Sequence, residues 1–167
     1  MFHYGIEPLT LDRMLALARG QETGLLSEAA RAQVATARHS VEQMLTQNKA
    51  VYGVNTGFGP LCDTRISLEA SDLLQKNLLL THAVGVGEPV SPFLSRLMLI
   101  GKVHALAQGY SGIRLTTLER IIYFLEQDLI PVVPAQGSVG ASGDLAPLSH
   151  LFLPLLGEGY FWQGEQI

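Results

Sequence analysis

Apolar residues recur at helical spacing along most of this chain. Ala30, Val34, Ala37, Val41 and Met44 follow one another at intervals of three and four, which puts them on one face of a helix opened by Ser27. Thr10 predicts the cap of a shorter helix that ends at Ala18 and stops at Gly20. Ser67 starts another, carrying Leu73, Leu74, Leu78 and Leu80. Ser91 and Pro92 combine an N-cap with a proline at the first helical position, for a helix that runs to about Gln108 and is ended by Gly109. Thr116 and Glu119 stand at capping-box spacing and predict a helix to about Gln127. Between Leu129 and Gly140, breakers at Pro131, Pro134, Gly137 and Gly140 exclude a helix. A last helix begins near Asp144. Pro147 falls in its first turn, where an amide has no partner to lose, and Pro154 kinks or ends it. Ala50 to Val54 is a short apolar stretch before a glycine-rich turn, and Tyr160 to Gln166 reads as a strand or hairpin arm turning at Gln163-Gly164. The pattern predicts a mainly α fold with a few short strands and no internal repeat.

Composition narrows the possibilities. The 167 residues are 47% apolar, enough for one domain with its own core. A formal charge of −4, with no basic block interleaved with aromatics, argues against a nucleic-acid partner. Cys62 is the single cysteine, which excludes an internal disulfide and fits a reducing compartment. It reads as a small apolar packer. No apolar run reaches the roughly 18 residues of a membrane span, and the first residues lack a signal-peptide pattern, so a soluble cytoplasmic protein is expected. His3, His39, His104 and His150 show no zinc-binding spacing, and no metal site is expected. The glycines at 137, 140 and 143 match no phosphate-binding loop. Around Ser142, Gly-Ala-Ser-Gly-Asp lacks the GxSxG spacing of a hydrolase nucleophile elbow.

The run Gly137 to His150, Gly-Ser-Val-Gly-Ala-Ser-Gly-Asp-Leu-Ala-Pro-Leu-Ser-His, offers a different chemistry. Side chains supply nucleophiles, acids and bases but no electrophile. Ala141-Ser142-Gly143 can make one from backbone: the Gly143 nitrogen attacks the Ala141 carbonyl carbon and closes a five-membered ring. Loss of water from that ring and from Ser142 leaves an exocyclic methylene that accepts electrons. Glycine lets its nitrogen approach closely, and serine supplies the leaving hydroxyl.

This run resembles the cofactor loop of the histidine and aromatic amino acid ammonia-lyases. The resemblance implies a 4-methylidene-imidazol-5-one group (MIO), formed autocatalytically from Ala141, Ser142 and Gly143. Two more segments resemble the same family in order and spacing. The stretch Tyr52-Gly-Val-Asn-Thr-Gly-Phe-Gly59 places Tyr52 where the family has its catalytic base. A phenol titrates near 10, so that role needs a stabilised anion. The stretch from Asn77 to Pro89 places His82 where family members select substrate. Thr81-His82-Ala83 is similar to the histidine type, although some tyrosine aminomutases carry a comparable pair. Gly109 to Arg114 is a fourth match, read as structural: glycines for a tight turn and an arginine for anchoring.

The implied reaction is non-oxidative deamination of L-histidine to urocanate and ammonia. A helix starting near Asp144 would favour negative charge building on the ring. The resemblance covers nearly all of this chain but about the first third of a family enzyme. Residues 1–167 are therefore expected to be an N-terminal domain lacking the long central helical bundle, cut after Ile167. Family active sites are shared between subunits of a homotetramer. The isolated chain is expected to be inactive, and the triplet can stay uncyclised in it. An aromatic ammonia-lyase or aminomutase, or a non-catalytic paralogue serving as an oligomerisation module, are the alternatives.

Overall fold

Hydroxyl side chains set where four of the helices begin. In a computed structural model, which describes residues 1–47, 50–57, 66–164 and 166–167, Thr10, Ser27, Ser67 and Ser91 each precede a helix. Each accepts a hydrogen bond from the amide three residues on, at 3.3–3.4 Å. The helices they open are α1 (Leu11–Ala18), α2 (Glu28–Thr46), α3 (Leu68–His82) and α4 (Pro92–Ala107). Helix α5 (Leu115–Glu126) departs from expectation. Its cap is Arg114, which makes no side-chain capping bond, and Thr116 already lies inside the first turn. Gly112 turns the chain earlier than the capping box implied, with φ +68° and a backbone too close to Val41 for a Cβ. Glu119, the other half of that box, instead pairs with Arg31 of α2.

Helix α6 (Leu145–Phe152) follows a single tight 3₁₀ turn at Gly140–Ser142. Pro147 sits in its first turn, and Pro154 belongs to a 3₁₀ turn, Leu153–Leu156, in which the helix ends. Strands are brief. β1 (Phe2–His3) lies parallel to β2 (Gly24–Leu25), and β3 (Val86–Pro89) lies antiparallel to β4 (Pro134–Gln136) with a bulge. The arm expected over Tyr160 to Gln166 is reduced to isolated bridges, Pro131 to Phe161 and Gln163 to Gln166. Val132 N–H reaches the Tyr160 carbonyl and Trp162 N–H that of Ile130, at 2.9 and 2.8 Å. Pro131 between them has no amide to extend the ladder.

The core is built on one stripe of α4. Leu99, Val103 and Ala107 are wholly buried there, against Phe2, Ala30 and Val34 from one side and Leu118 and Ile121 of α5 from the other. The buried face expected along α2 continues only through Val34. Ala37 and Val41 are half-buried and Met44 is exposed, since the second half of the helix meets the Gly109–Gly112 turn rather than the α4–α5 stripe. No described side chain of α3 is fully buried. Among the described residues no helix is long and apolar enough to cross a membrane. Cys62, with Phe58 to Arg65, lies outside the described residues.

Because Leu99 has no exposed surface and sits mid-stripe, Leu99→Ala should destabilise the chain by about 2–5 kcal/mol. Urea unfolding followed by circular dichroism checks this. An unchanged midpoint would show that α4 is not the centre of the core.

Candidate active site: the Ala141–Gly143 turn and its neighbours

The triplet is held in a turn by local backbone bonds. Ser142 N–H donates to the Val139 carbonyl at 2.9 Å and Gly143 N–H to that of Gly140 at 3.1 Å. The Ser142 hydroxyl also donates to the Val139 carbonyl, at 2.8 Å. The Ser138 hydroxyl donates to the Asp144 carboxylate, closing the loop around the triplet. Two consecutive residues, Gly143 (φ +79°) and Asp144 (φ +58°), then take the left-handed conformation, and α6 begins at once. Asp144 makes no capping bond to α6. It is one of the few residue types that tolerate this conformation.

This geometry suits the chemistry expected of the triplet. A tight turn folds the Gly143 nitrogen back toward the Ala141 carbonyl carbon, whereas an extended chain would carry it away. Ala141, Ser142 and Gly143 are all exposed, and open space surrounds the position a Gly143 Cβ would occupy. Ring closure requires Gly143 N–H to leave the Gly140 carbonyl and Ser142 to lose its hydroxyl, and both groups are restrained by single bonds within the loop. The residues present therefore fit the group. Beside the turn runs a hollow of about 600 Å³, lined mainly by apolar side chains such as Leu94, Met98 and Pro147, with Ser138, Asp144 and Lys102 as its polar members.

His82 ends α3. Its Nδ1 lies 2.8 Å from the Leu78 carbonyl, and a carbonyl can only accept, so Nδ1 carries the proton. In the neutral ring Nε2 then presents a lone pair. The Thr81 hydroxyl donates to the Asn77 carbonyl at 2.7 Å. Three residues after His82, Gly85 N–H donates to Nε2 of His150 on α6 at 3.0 Å. The next residues form β3 and pair with β4, which leads into the triplet loop. The segment behind His82 and the segments on both sides of the triplet thus share one hydrogen-bonded unit.

Tyr52 belongs to a separate turn, held locally. Val54 N–H donates to the Val51 carbonyl at 3.0 Å, and Val51 N–H to Asn55 Oδ1 at 2.7 Å. Asn55 and Thr56 are buried while Tyr52 is 63% exposed. The Asn55 carbonyl accepts from Ile66 N–H at 2.8 Å, which ties this turn to the approach to α3. Arg114 anchors α5 to α3 through Asp72 at 3.8 Å, an exposed and weak pair.

Sequence reasoning weighed His150 only as a metal ligand and passed over Gly85. The available signal was the position of His150, one helical span past the triplet. Among the described residues no cluster of three His, Cys, Asp or Glu side chains forms. His104 is the other histidine with a buried role: its Nδ1 accepts from Gly5 N–H at 3.2 Å. Burial pushes the pKa of both His104 and His150 down. At the chain's start, Glu7 accepts from the His3 backbone N–H, pairs with Arg13 and lies 2.9 Å from the His3 ring, which together hold its carboxyl down at about 2.

A mainly helical chain carrying this turn defines a class, and comparison identifies it: residues 9–167 match the aromatic amino acid lyase family, and the chain belongs to that family. Among named relatives, histidine ammonia-lyase of Symbiobacterium thermophilum is 48% identical over 90% of this chain and 30% of its own length. The crystal structure of histidine ammonia-lyase from Trypanosoma cruzi superposes with a TM-score of 0.83 at 37% identity, covering 95% of this chain and 30% of that one. Tyrosine aminomutase from Streptomyces globisporus gives a TM-score of 0.90 at 31% identity, covering 99% and 31%. The chain spans about a third of the length of the curated relatives it matches.

The two depressed histidines set an acid limit. Their folded pKa values lie below the ordinary value of about 6.5, so the unfolded chain binds more protons as pH falls. The stability they contribute is present above about 6.5 and is lost as pH drops through that value toward their folded values. The thermal midpoint at pH 5.5 should fall below that at pH 7.5; equal midpoints would contradict this assignment.

Proposed function

We propose that this chain is the cofactor-forming portion of a histidine ammonia-lyase, which converts L-histidine to urocanate and ammonia. The observation that carries the reading is the exposed, sterically open turn at Ala141–Gly143 in a chain whose similar relatives include named histidine ammonia-lyases. The group formed from the triplet would supply an electrophile that makes the substrate nitrogen a better leaving group. Tyr52 takes the β-proton, the C–N bond breaks with its electron pair leaving on nitrogen, and the electrons of the C–H bond form the double bond. His82 offers its Nε2 lone pair to the N–H of the substrate ring, since Leu78 already occupies Nδ1. Backbone amides at the start of α6, directly after the turn, would favour negative charge building on the group formed from the triplet.

A second reading is supported by the tyrosine aminomutase likeness. The same Nε2 lone pair can accept from a phenol O–H, so a tyrosine-type substrate fits the same acceptor. In either case the working protein is a homo-oligomer with shared sites, and its compartment is the reducing cytoplasm, which a single cysteine suits. The isolated chain, matching about a third of its relatives' length, is inactive.

Intact mass and absorbance test these points. A cyclised chain is lighter than its sequence by two waters, and Ser142→Ala should keep the full sequence mass. Incubation of the 167-residue chain with L-histidine should give no urocanate absorbance. Measurable turnover would overturn the inactivity. Release of cinnamate-type rather than urocanate absorbance by a longer form would favour the second reading. A stable, inactive complex with a full-length relative would favour an oligomerisation module.

A further inference from the structure

Gly85, Gly137 and His150 interlock. A Cβ on Gly137 would lie 3.0 Å from Gly85 Cα, and a Cβ on Gly85 would lie 3.1 Å from His150 Nε2 and Cδ2 and 3.2 Å from the Gln136 carbonyl oxygen. Within this close approach Gly85 N–H donates to His150 Nε2 at 3.0 Å. The acceptor must be a lone pair, so the ring is neutral with its proton on Nδ1. The three residues come from three places that matter: Gly85 follows His82, Gly137 precedes the triplet, and His150 follows the triplet on α6. The ring also borders a hollow with Leu80, Ala83, Val132, Glu158 and Tyr160. Among the described residues lining that hollow only Glu158 and Tyr160, besides His150, can ionise; α3 contributes Leu80 and β4 contributes Pro134. Burial keeps the ring neutral to lower pH than an exposed histidine.

We infer that His150 is a positioning residue: by accepting the Gly85 amide it fixes the His82 segment in register with the loop holding Ala141–Gly143, and its protonation releases them. The significance of those two partners rests on the function proposed above. The bond itself does not. Protonation turns Nε2 into a donor that faces another donor, so the link cannot survive charging of the ring.

Residue-resolved amide exchange by NMR on the 167-residue chain tests this. The Gly85 amide should be protected at pH 7.5, and His150→Leu should lower that protection about fivefold. His150→Gln, whose amide oxygen can accept, should recover part of it. Protection at Leu99 and Ile121 in the core should hold in both variants. In the unaltered chain, Gly85 protection should collapse at the pH where the His150 ring titrates, with no such step in His150→Gln. A packing role alone would give neither the rescue nor the step. Gly85 protection that is unchanged in His150→Leu, or that outlasts protonation of the ring, overturns the proposal. If His150→Leu also loses protection at Leu99 and Ile121, the titration of the unaltered chain decides by the same criterion. A chain that never loses two waters would count against the proposed function and would leave these exchange results standing.

Discussion

Leu99, Val103 and Ala107 recur at four-residue steps on α4, and β1, α2 and α5 are placed by how they meet that stripe. The β1 residue Phe2 packs on it from the chain's beginning, with its ring 5.5 Å from Tyr4 and 5.6 Å from His104. Ala30 and Val34 bring α2 to it, and Leu118 and Ile121 bring α5. Each fully buried Leu, Val or Ile contributes roughly 1.5–3 kcal/mol relative to exposure, so this shared seam outweighs the exposed ion pairs, which contribute about 0–1 kcal/mol each. Tyr4 reflects the same burial: its phenol is pushed up to about 12, chiefly by loss of water around it and secondarily by the charge of Glu126.

The loop bearing Ala141–Gly143 stands apart from that seam and is organised by backbone. Its own turn bonds, the Ser138–Asp144 closure and the β3–β4 pairing define it, with little buried apolar surface of its own. A site held this way has a reproducible shape without being locked into the core. That arrangement suits the ring closure proposed for these residues. Hydrophobic burial resumes at Ala146 and Leu151 on the inner face of α6, and anchors the loop from behind.

The helices and their starts were legible because local chemistry decides them: a serine or threonine in front of an apolar period, a proline at the first helical position, a glycine past the end. Thr116 misled because Gly112 turned the chain sooner and Arg31 claimed Glu119. Met44 misled because periodicity reports which face is apolar, and only tertiary contact decides how far along that face is covered. The triplet, Tyr52 and His82 stood out by motif. The Gly85–His150 link did not, because it joins residues 65 apart through a backbone amide that has no sequence signature. The tautomer of His82 was equally hidden, since it depends on where the Leu78 carbonyl points.

The left-handed pair Gly143–Asp144 has a mechanical consequence. Drawing the Gly143 nitrogen onto the Ala141 carbonyl would shorten the chain locally, and a rigid helical continuation would pass that pull straight into Leu151 and its neighbours. Two residues bent against the helical sense interrupt that rigid continuation at Gly143 and Asp144. The pull would be taken up there, so α6 would keep its seat during the ring closure proposed upstream.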